Sequence, residues 1–116
     1  MSRTITKFTS PFEPNAAFDA FSKYMFREGF EFVRKDGEQY WKKGSGLMAG
    51  PQFLKLTANN DGSYVLEAWV KFAILPGLYV GEMGVKGIVA VLPKQLLKER
   101  MDKTLMAMQA RVIYQQ

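Results

Sequence analysis

The dipeptide Asp36-Gly37 stands between two strand-like runs, residues 30–35 and 38–43, and it constrains the fold more than any other local feature. A two-residue type I′ turn needs positive φ at both central positions, and Asp-Gly tolerates this well. The turn sets the register of a hairpin in which Lys35 opposes Glu38. One face of this hairpin carries three aromatic rings and is the better candidate for the core: Phe30, Phe32 and Trp41.

A second hairpin is predicted around Asn60-Asp61-Gly62, which fits a three-residue turn with glycine in the left-handed position. It pairs a strand over residues 51–58 with a long strand over residues 63–74, so that Leu56 opposes Leu66. A two-residue turn would place Lys55 opposite Leu66, which agrees less well with the apolar alternation. The long strand is expected to bury its alternate residues: Tyr64, Leu66, Ala68, Val70 and Phe72.

Two further segments have the apolar spacing of helices. Pro14 suits the first turn of one helix and Gly29 its end, while Pro93 opens the second helix. The first apolar stripe consists of Ala17, Phe18, Phe21 and Met25. The second consists of Leu97, Met101, Leu105 and Met108, widened by Leu96, Thr104 and Val112. The final residues are expected to fray.

With a short strand over residues 3–9, the predicted order is strand, helix, four strands, helix. Two helical stripes need a common apolar surface, and one face of a sheet supplies it. We therefore predict that residues 1–116 form a single α+β domain, a two-layer sandwich in which an antiparallel sheet carries helices on one face. This order resembles the fold of the TATA-box-binding-protein class. The resemblance is architectural and implies no DNA binding.

The chain of 116 residues contains no cysteine and no histidine. Zinc sites of the Cys/His kind, Ser-His-Asp triads and Cys-His dyads are therefore excluded. We expect a cytoplasmic protein that is not an enzyme and uses no cofactor or metal. The apolar stretch 72–92 contains Glu82 and Lys86, each of which costs about 2.5–3.5 kcal/mol at the centre of a bilayer. We therefore expect no transmembrane span.

Four stretches carry a resemblance to known sequences: WKKGSG at 41–46, PQF at 51–53, LEAWVKF at 66–72 and LPGLYVGEMG at 75–84. Together they resemble a family of small uncharacterised bacterial proteins, over roughly residues 40–100. In some relatives this domain is joined to zinc-ribbon or membrane-spanning segments. The resemblance implies an accessory or regulatory module and supplies no catalytic residues.

The sheet face opposite the helices is the first candidate binding surface, and the predicted alternation places aromatic and lysine side chains there: Tyr40, Lys42, Phe53, Lys55, Trp69 and Lys71. Such a pattern suits single-stranded nucleic acid, whose bases stack on rings and whose phosphates attract lysines. It also suits a wet face with cross-strand aromatic pairs and no ligand. Glu31 and Glu67 dilute the positive charge, so we favour a protein partner or a homodimer over nucleic acid.

The glycine-rich segment 75–92 is the second candidate. Its apolar side chains could enter a membrane surface or cover a pocket for a small molecule or lipid: Leu78, Tyr79, Val80 and Met83. The same residues also fit a buried connector whose glycines permit close packing. The leading hypothesis is an interaction module that uses the open sheet face, and the alternative is a ligand-binding or peripheral membrane-binding domain that uses this segment.

Overall fold

The computed structural model describes residues 3–44, 51–75, 78–83 and 91–116, with side chains at 3–44, 51–70 and 97–116. This part of the chain forms seven strands and two helices, an α+β fold. In chain order they are β1 (Thr4–Thr9), α1 (Pro14–Arg27), β2 (Glu31–Lys35), β3 (Glu38–Lys43), β4 (Gln52–Ala58), β5 (Tyr64–Leu75), β6 (Leu78–Met83), α2 (Val91–Ala107) and β7 (Arg111–Gln115).

The strands form one antiparallel sheet in the order β2-β3-β4-β5-β1-β7, with β6 paired to the far end of β5. Both predicted hairpin registers are confirmed: Lys35 pairs with Glu38, and Leu56 pairs with Leu66. Asp36 and Gly37 both have positive φ, 53° and 78°, as a type I′ turn requires. The local turn chemistry therefore determines how β2 aligns with β3 and how β4 aligns with β5.

Helix α1 begins at Pro14 as predicted, and Gly29 stops it. Gly29 has a φ of 88° and donates its N–H to the Phe26 carbonyl at 3.1 Å, while Phe30 donates to the Met25 carbonyl at 2.9 Å. This bonding pattern is a Schellman motif, which satisfies two of the terminal carbonyls and turns the chain into β2. Neither described helix is long and apolar enough to cross a membrane.

Both helices contribute to one core on one face of the sheet. The core joins buried residues of α1 and α2 to the alternate residues of β4 and β5: Ala17, Phe21, Met25, Leu97, Met101, Leu105, Leu54, Leu56, Tyr64, Leu66, Ala68 and Val70. Arg100 fastens α2 to the end of α1 through an ion pair with Glu28 and a hydrogen bond to the Tyr24 hydroxyl. The predicted burial of β5 is thus confirmed from Tyr64 to Val70, and the side chain of Phe72 lies outside the described residues.

Four predictions about particular residues were wrong. The C-terminal residues do not fray, and Val112 does not widen the stripe of α2, because Gln109 adopts a positive φ of 52° and residues 111–115 form β7 beside β1. Val112, Ile113 and Tyr114 are β-branched or aromatic, which favours a strand. Phe18 and Phe32, both expected in the core, are 37% and 48% exposed. They lie at the β2 end of the sheet, where no further strand covers them among the described residues.

Candidate interaction surfaces

The sheet face away from the helices, here called the open face, carries a tight cluster of three aromatic rings. Phe53 and Trp69 are cross-strand partners, and their rings stack at 5.3 Å with an interplanar angle of 3°. The Tyr40 ring makes edge-to-face contacts with both, its centre 5.6 Å from that of Phe53 and 5.7 Å from that of Trp69. Phe53 is 3% and Trp69 1% exposed. Although this face has no helix over it, its central rings are therefore buried.

Arg3 lies over the cluster and links three strands. Its guanidinium carbon lies 3.6 Å from the centre of the Trp69 ring, within cation–π range. The same group donates two hydrogen bonds to Glu38, at 2.6 and 3.1 Å, and one to Glu67 at 3.1 Å. Lys55 donates to Glu38 at 3.0 Å. The result is a charged layer above the rings in which two carboxylates balance Arg3 and Lys55.

Glu38 is the electrostatic centre of this layer. Hydrogen bonds from Arg3 lower its pKa from 4.5 to about 2, helped by Lys55 and opposed by partial burial. The carboxylate is therefore ionised throughout the neutral range. Bidentate contact with a guanidinium fixes the direction of the Glu38 side chain as well as its charge.

The structure brings four of the six predicted open-face residues into one network: Tyr40, Phe53, Lys55 and Trp69. Lys42 lies half-buried beside them, opposite Phe53, and the side chain of Lys71 lies outside the described residues. The sequence analysis did not identify Arg3, which covers the Trp69 ring, or Glu38, which binds Arg3. Phe53 and Trp69 are almost completely buried, so their rings are not exposed for stacking on a nucleic-acid base. Binding of a partner by this face stays a prediction.

The residues of the second predicted site are described only in part. Leu78, Tyr79, Val80 and Met83 belong to β6, which pairs with β5, but their side chains lie outside the described residues. The alternative that this segment binds a small molecule or a membrane surface stays a prediction.

A groove lies between α1 and the β2–β3 hairpin, on the helix-covered side of the sheet. It has a volume of about 220 Å³ and is lined mainly by aromatic rings, with Ser22 and Gln39 as polar groups: Phe18, Phe21, Phe32 and Trp41. The centre of the Trp41 ring lies 5.3 Å from that of Phe32 and 6.4 Å from that of Phe21, so the three rings pack against one another in the groove. The groove is therefore a depression of mixed character, in which aromatic rings and polar groups are exposed to a similar extent.

Helix α1 carries a further exposed ring beyond the groove. Ser22 and Phe26 follow Phe18 at intervals of four residues, so they continue the flank of α1 that faces away from α2. Phe26 is 78% exposed. We call Phe18, Phe26 and Phe32 the phenylalanine patch. Phe32 belongs to β2, whose outer edge has no partner strand in the described part of the chain.

The described residues offer no metal site, since no three acidic side chains in them are grouped so that they could hold an ion. Comparisons with protein-family models, with curated proteins and with solved structures gave no match. The resemblances to the bacterial family and to the TATA-box-binding-protein class therefore stay predictions, and the function has to be inferred from the surfaces themselves.

Proposed function

We propose that this protein is a non-enzymatic interaction module that self-associates through the end of the sandwich formed by the phenylalanine patch and the outer edge of β2. The observation that carries the proposal is the presence of exposed phenylalanines around a groove and beside the outer edge of β2, which has no partner strand among the described residues. Exposed aromatic rings beside a groove are typical of a protein interface.

The side chains of the patch suit an interface core. Phenylalanine is enriched at protein interfaces, because a ring covers a large apolar area at a low cost in conformational entropy. Phe26 projects almost fully into solvent, whereas Phe18 and Phe32 form the rim of the groove. A partner therefore meets both a protruding ring and a depression that could receive one. This combination favours a second polypeptide over a small polar ligand.

The proposal is tested by sedimentation velocity over a wide range of protein concentration. Phe26→Ser and Phe32→Ser should each shift the monomer–dimer equilibrium towards monomer. Met106→Ser is the matched control, because Met106 is equally exposed, at 75%, but lies on α2. A wild-type protein that stays monomeric throughout, or a dimer that both phenylalanine variants leave unchanged, would refute the proposal.

The open face is the competing surface for self-association, and one variant separates the two. Thr57 is exposed on this face, on the inner strand β4 and two residues from Lys55. A partner seated flat on the open face would meet Thr57→Glu, whereas a partner at the β2 end would not. We expect the dimer of Thr57→Glu to be as stable as that of the wild type.

A further inference from the structure

We propose that two copies join edge to edge through β2, antiparallel, in a single register centred on Val33, so that one sheet runs through the dimer. This inference rests on the proposed function, since it specifies how the β2 end meets a second copy. It is carried by the directions of the backbone groups and by the order of charges along β2.

The hairpin determines which backbone groups of β2 are free. In a two-residue hairpin the residues that flank the turn, Lys35 and Glu38, form a hydrogen-bonded pair, and such pairs alternate along the strands. Lys35, Val33 and Glu31 therefore direct their N–H and C=O groups to β3. Phe32 and Arg34 direct theirs to the outer edge. An added antiparallel strand must place its own outward-directed residues opposite these two.

Centring the pair on Val33 meets this requirement. Phe32 of each copy then faces Arg34 of the other, and the two pairs exchange four backbone hydrogen bonds. In any such antiparallel pairing, residues whose backbone groups point to the outer edge lie opposite one another. The two-fold axis that relates the two copies is therefore perpendicular to the sheet. Both helical layers consequently lie on the same side, and the two phenylalanine patches flank the joint.

The charges of β2 are self-complementary in this register. Glu31 of each copy lies opposite Lys35 of the other, so two opposite-charge pairs form on the open-face side. On the helix side the half-exposed Phe32 ring meets the Arg34 guanidinium of the second copy, a cation–π arrangement. Within one copy, neither Glu31 nor Lys35 forms an ion pair with another described residue. Lys42 lies opposite Glu31 without an ion pair between them, and Glu38, which lies opposite Lys35, is held by Arg3 and Lys55.

Registers shifted by two residues lose these features. Centring on Phe32 places Glu31 opposite Val33, and centring on Arg34 places two guanidinium groups opposite each other. The outer edge of β7 is also apolar and exposed, but it is less suited to pairing with a second copy in a defined register. Centring β7 on Ile113 sets Arg111 opposite Gln115, with no opposite charges to fix a register. The pairing of β2 around Val33 is therefore the one selected by charge.

Charge reversal tests the register directly. Glu31→Lys or Lys35→Glu alone turns both symmetric pairs into like-charge pairs, so the dimer Kd should rise about tenfold. The double variant Glu31→Lys/Lys35→Glu restores opposite charges across the two-fold axis and should recover the wild-type Kd. Circular dichroism shows that each variant is folded. A double variant that is as weak as the singles, or singles with unchanged Kd, would overturn the register.

A cysteine placed on the two-fold axis gives a second, independent readout, because the chain contains no other cysteine. Val33 faces itself in a non-hydrogen-bonded pair, where Cα atoms are about 4.5 Å apart, within the range a disulfide needs. Val33→Cys should therefore cross-link rapidly on mild oxidation. Lys35→Cys is the control, since its two sulfurs would lie about 13 Å apart along the strands. Equal cross-linking of both variants would refute the inference.

The outcomes separate this inference from the proposed function. If Phe26→Ser raises the dimer Kd but the charge reversals leave it unchanged, the result would support the proposed function and overturn the β2 register. A chain that is monomeric at all concentrations would overturn both.

Discussion

Replacing Glu38 by glutamine should destabilise the protein in a pH-dependent way, because the substitution removes the anion that holds Arg3 over Trp69. The pKa of Glu38 falls from 4.5 to about 2 on folding. At about 1.4 kcal/mol per pKa unit, the unscreened contribution is about 3.4 kcal/mol. The Glu38 side chain is 28% exposed, so solvent screens the charges. We expect a loss of about 1–2 kcal/mol near neutral pH.

The sign follows from the direction of the pKa change. A carboxyl whose pKa is lower in the folded state stabilises that state fully above its unfolded pKa of 4.5, and the contribution is lost as the pH falls towards about 2. The free energy of unfolding of the wild type should therefore exceed that of Glu38→Gln most at neutral pH. The difference should shrink between about pH 5 and about pH 2.

Urea unfolding of both proteins, followed by tryptophan fluorescence at several pH values, measures this difference. Other carboxyls with lowered pKa, such as Asp61, contribute equally to both proteins and cancel. A stability gap that is the same at about pH 7 and about pH 2 would refute the reasoning, because it would show that shape rather than charge makes Glu38 stabilising.

Two further substitutions test the packing and the backbone. Trp69→Ala should lower the free energy of unfolding by about 3–5 kcal/mol, since it leaves a void beneath Arg3 and beside Phe53. Trp69→Phe should lower the free energy of unfolding much less, because the buried indole N–H has no acceptor among the described residues and its removal loses no hydrogen bond there. Equal losses for the two variants in urea titrations would contradict this account. Gly29→Ala should lower the free energy of unfolding by about 1–2 kcal/mol because φ is +88°; the added Cβ itself would fit, since it meets only the Lys43 side chain, with Cε at 3.6 Å and Nζ at 3.8 Å. Gly29→Asn should cost less in thermal unfolding, since asparagine tolerates this conformation better.

The sequence predicted well those features that neighbouring residues determine. The Asp36-Gly37 turn determined the alignment of β2 with β3, and the apolar alternation around Asn60-Asp61-Gly62 determined that of β4 with β5. Pro14 and Gly29 similarly marked both ends of α1. In each case the conformational preference of a few residues outweighs the alternatives, so distant contacts need not be known.

The features that were missed depend on distant parts of the chain. Arg3 reaches Glu38 and Glu67 across 35 and 64 residues, and only the insertion of β1 between β5 and β7 places it there. Alternation assigned Phe32 correctly to the helix side of the sheet but could not show that β2 is an edge strand. The three charges of this five-residue strand, Glu31, Arg34 and Lys35, are the signal that could have indicated an edge.

The two faces of the sheet explain why the interaction surface should lie at an end. A single layer of helices covers one face, and on the other Tyr40, Phe53 and Trp69 bury one another beneath Arg3. Separating those rings to receive a partner would also break the bonds of Arg3 to Glu38 and Glu67. At the β2 end, a second copy would cover Phe32 and satisfy free backbone groups without breaking an ion pair among the described residues. Association at the edge therefore costs the monomer less than association on the open face.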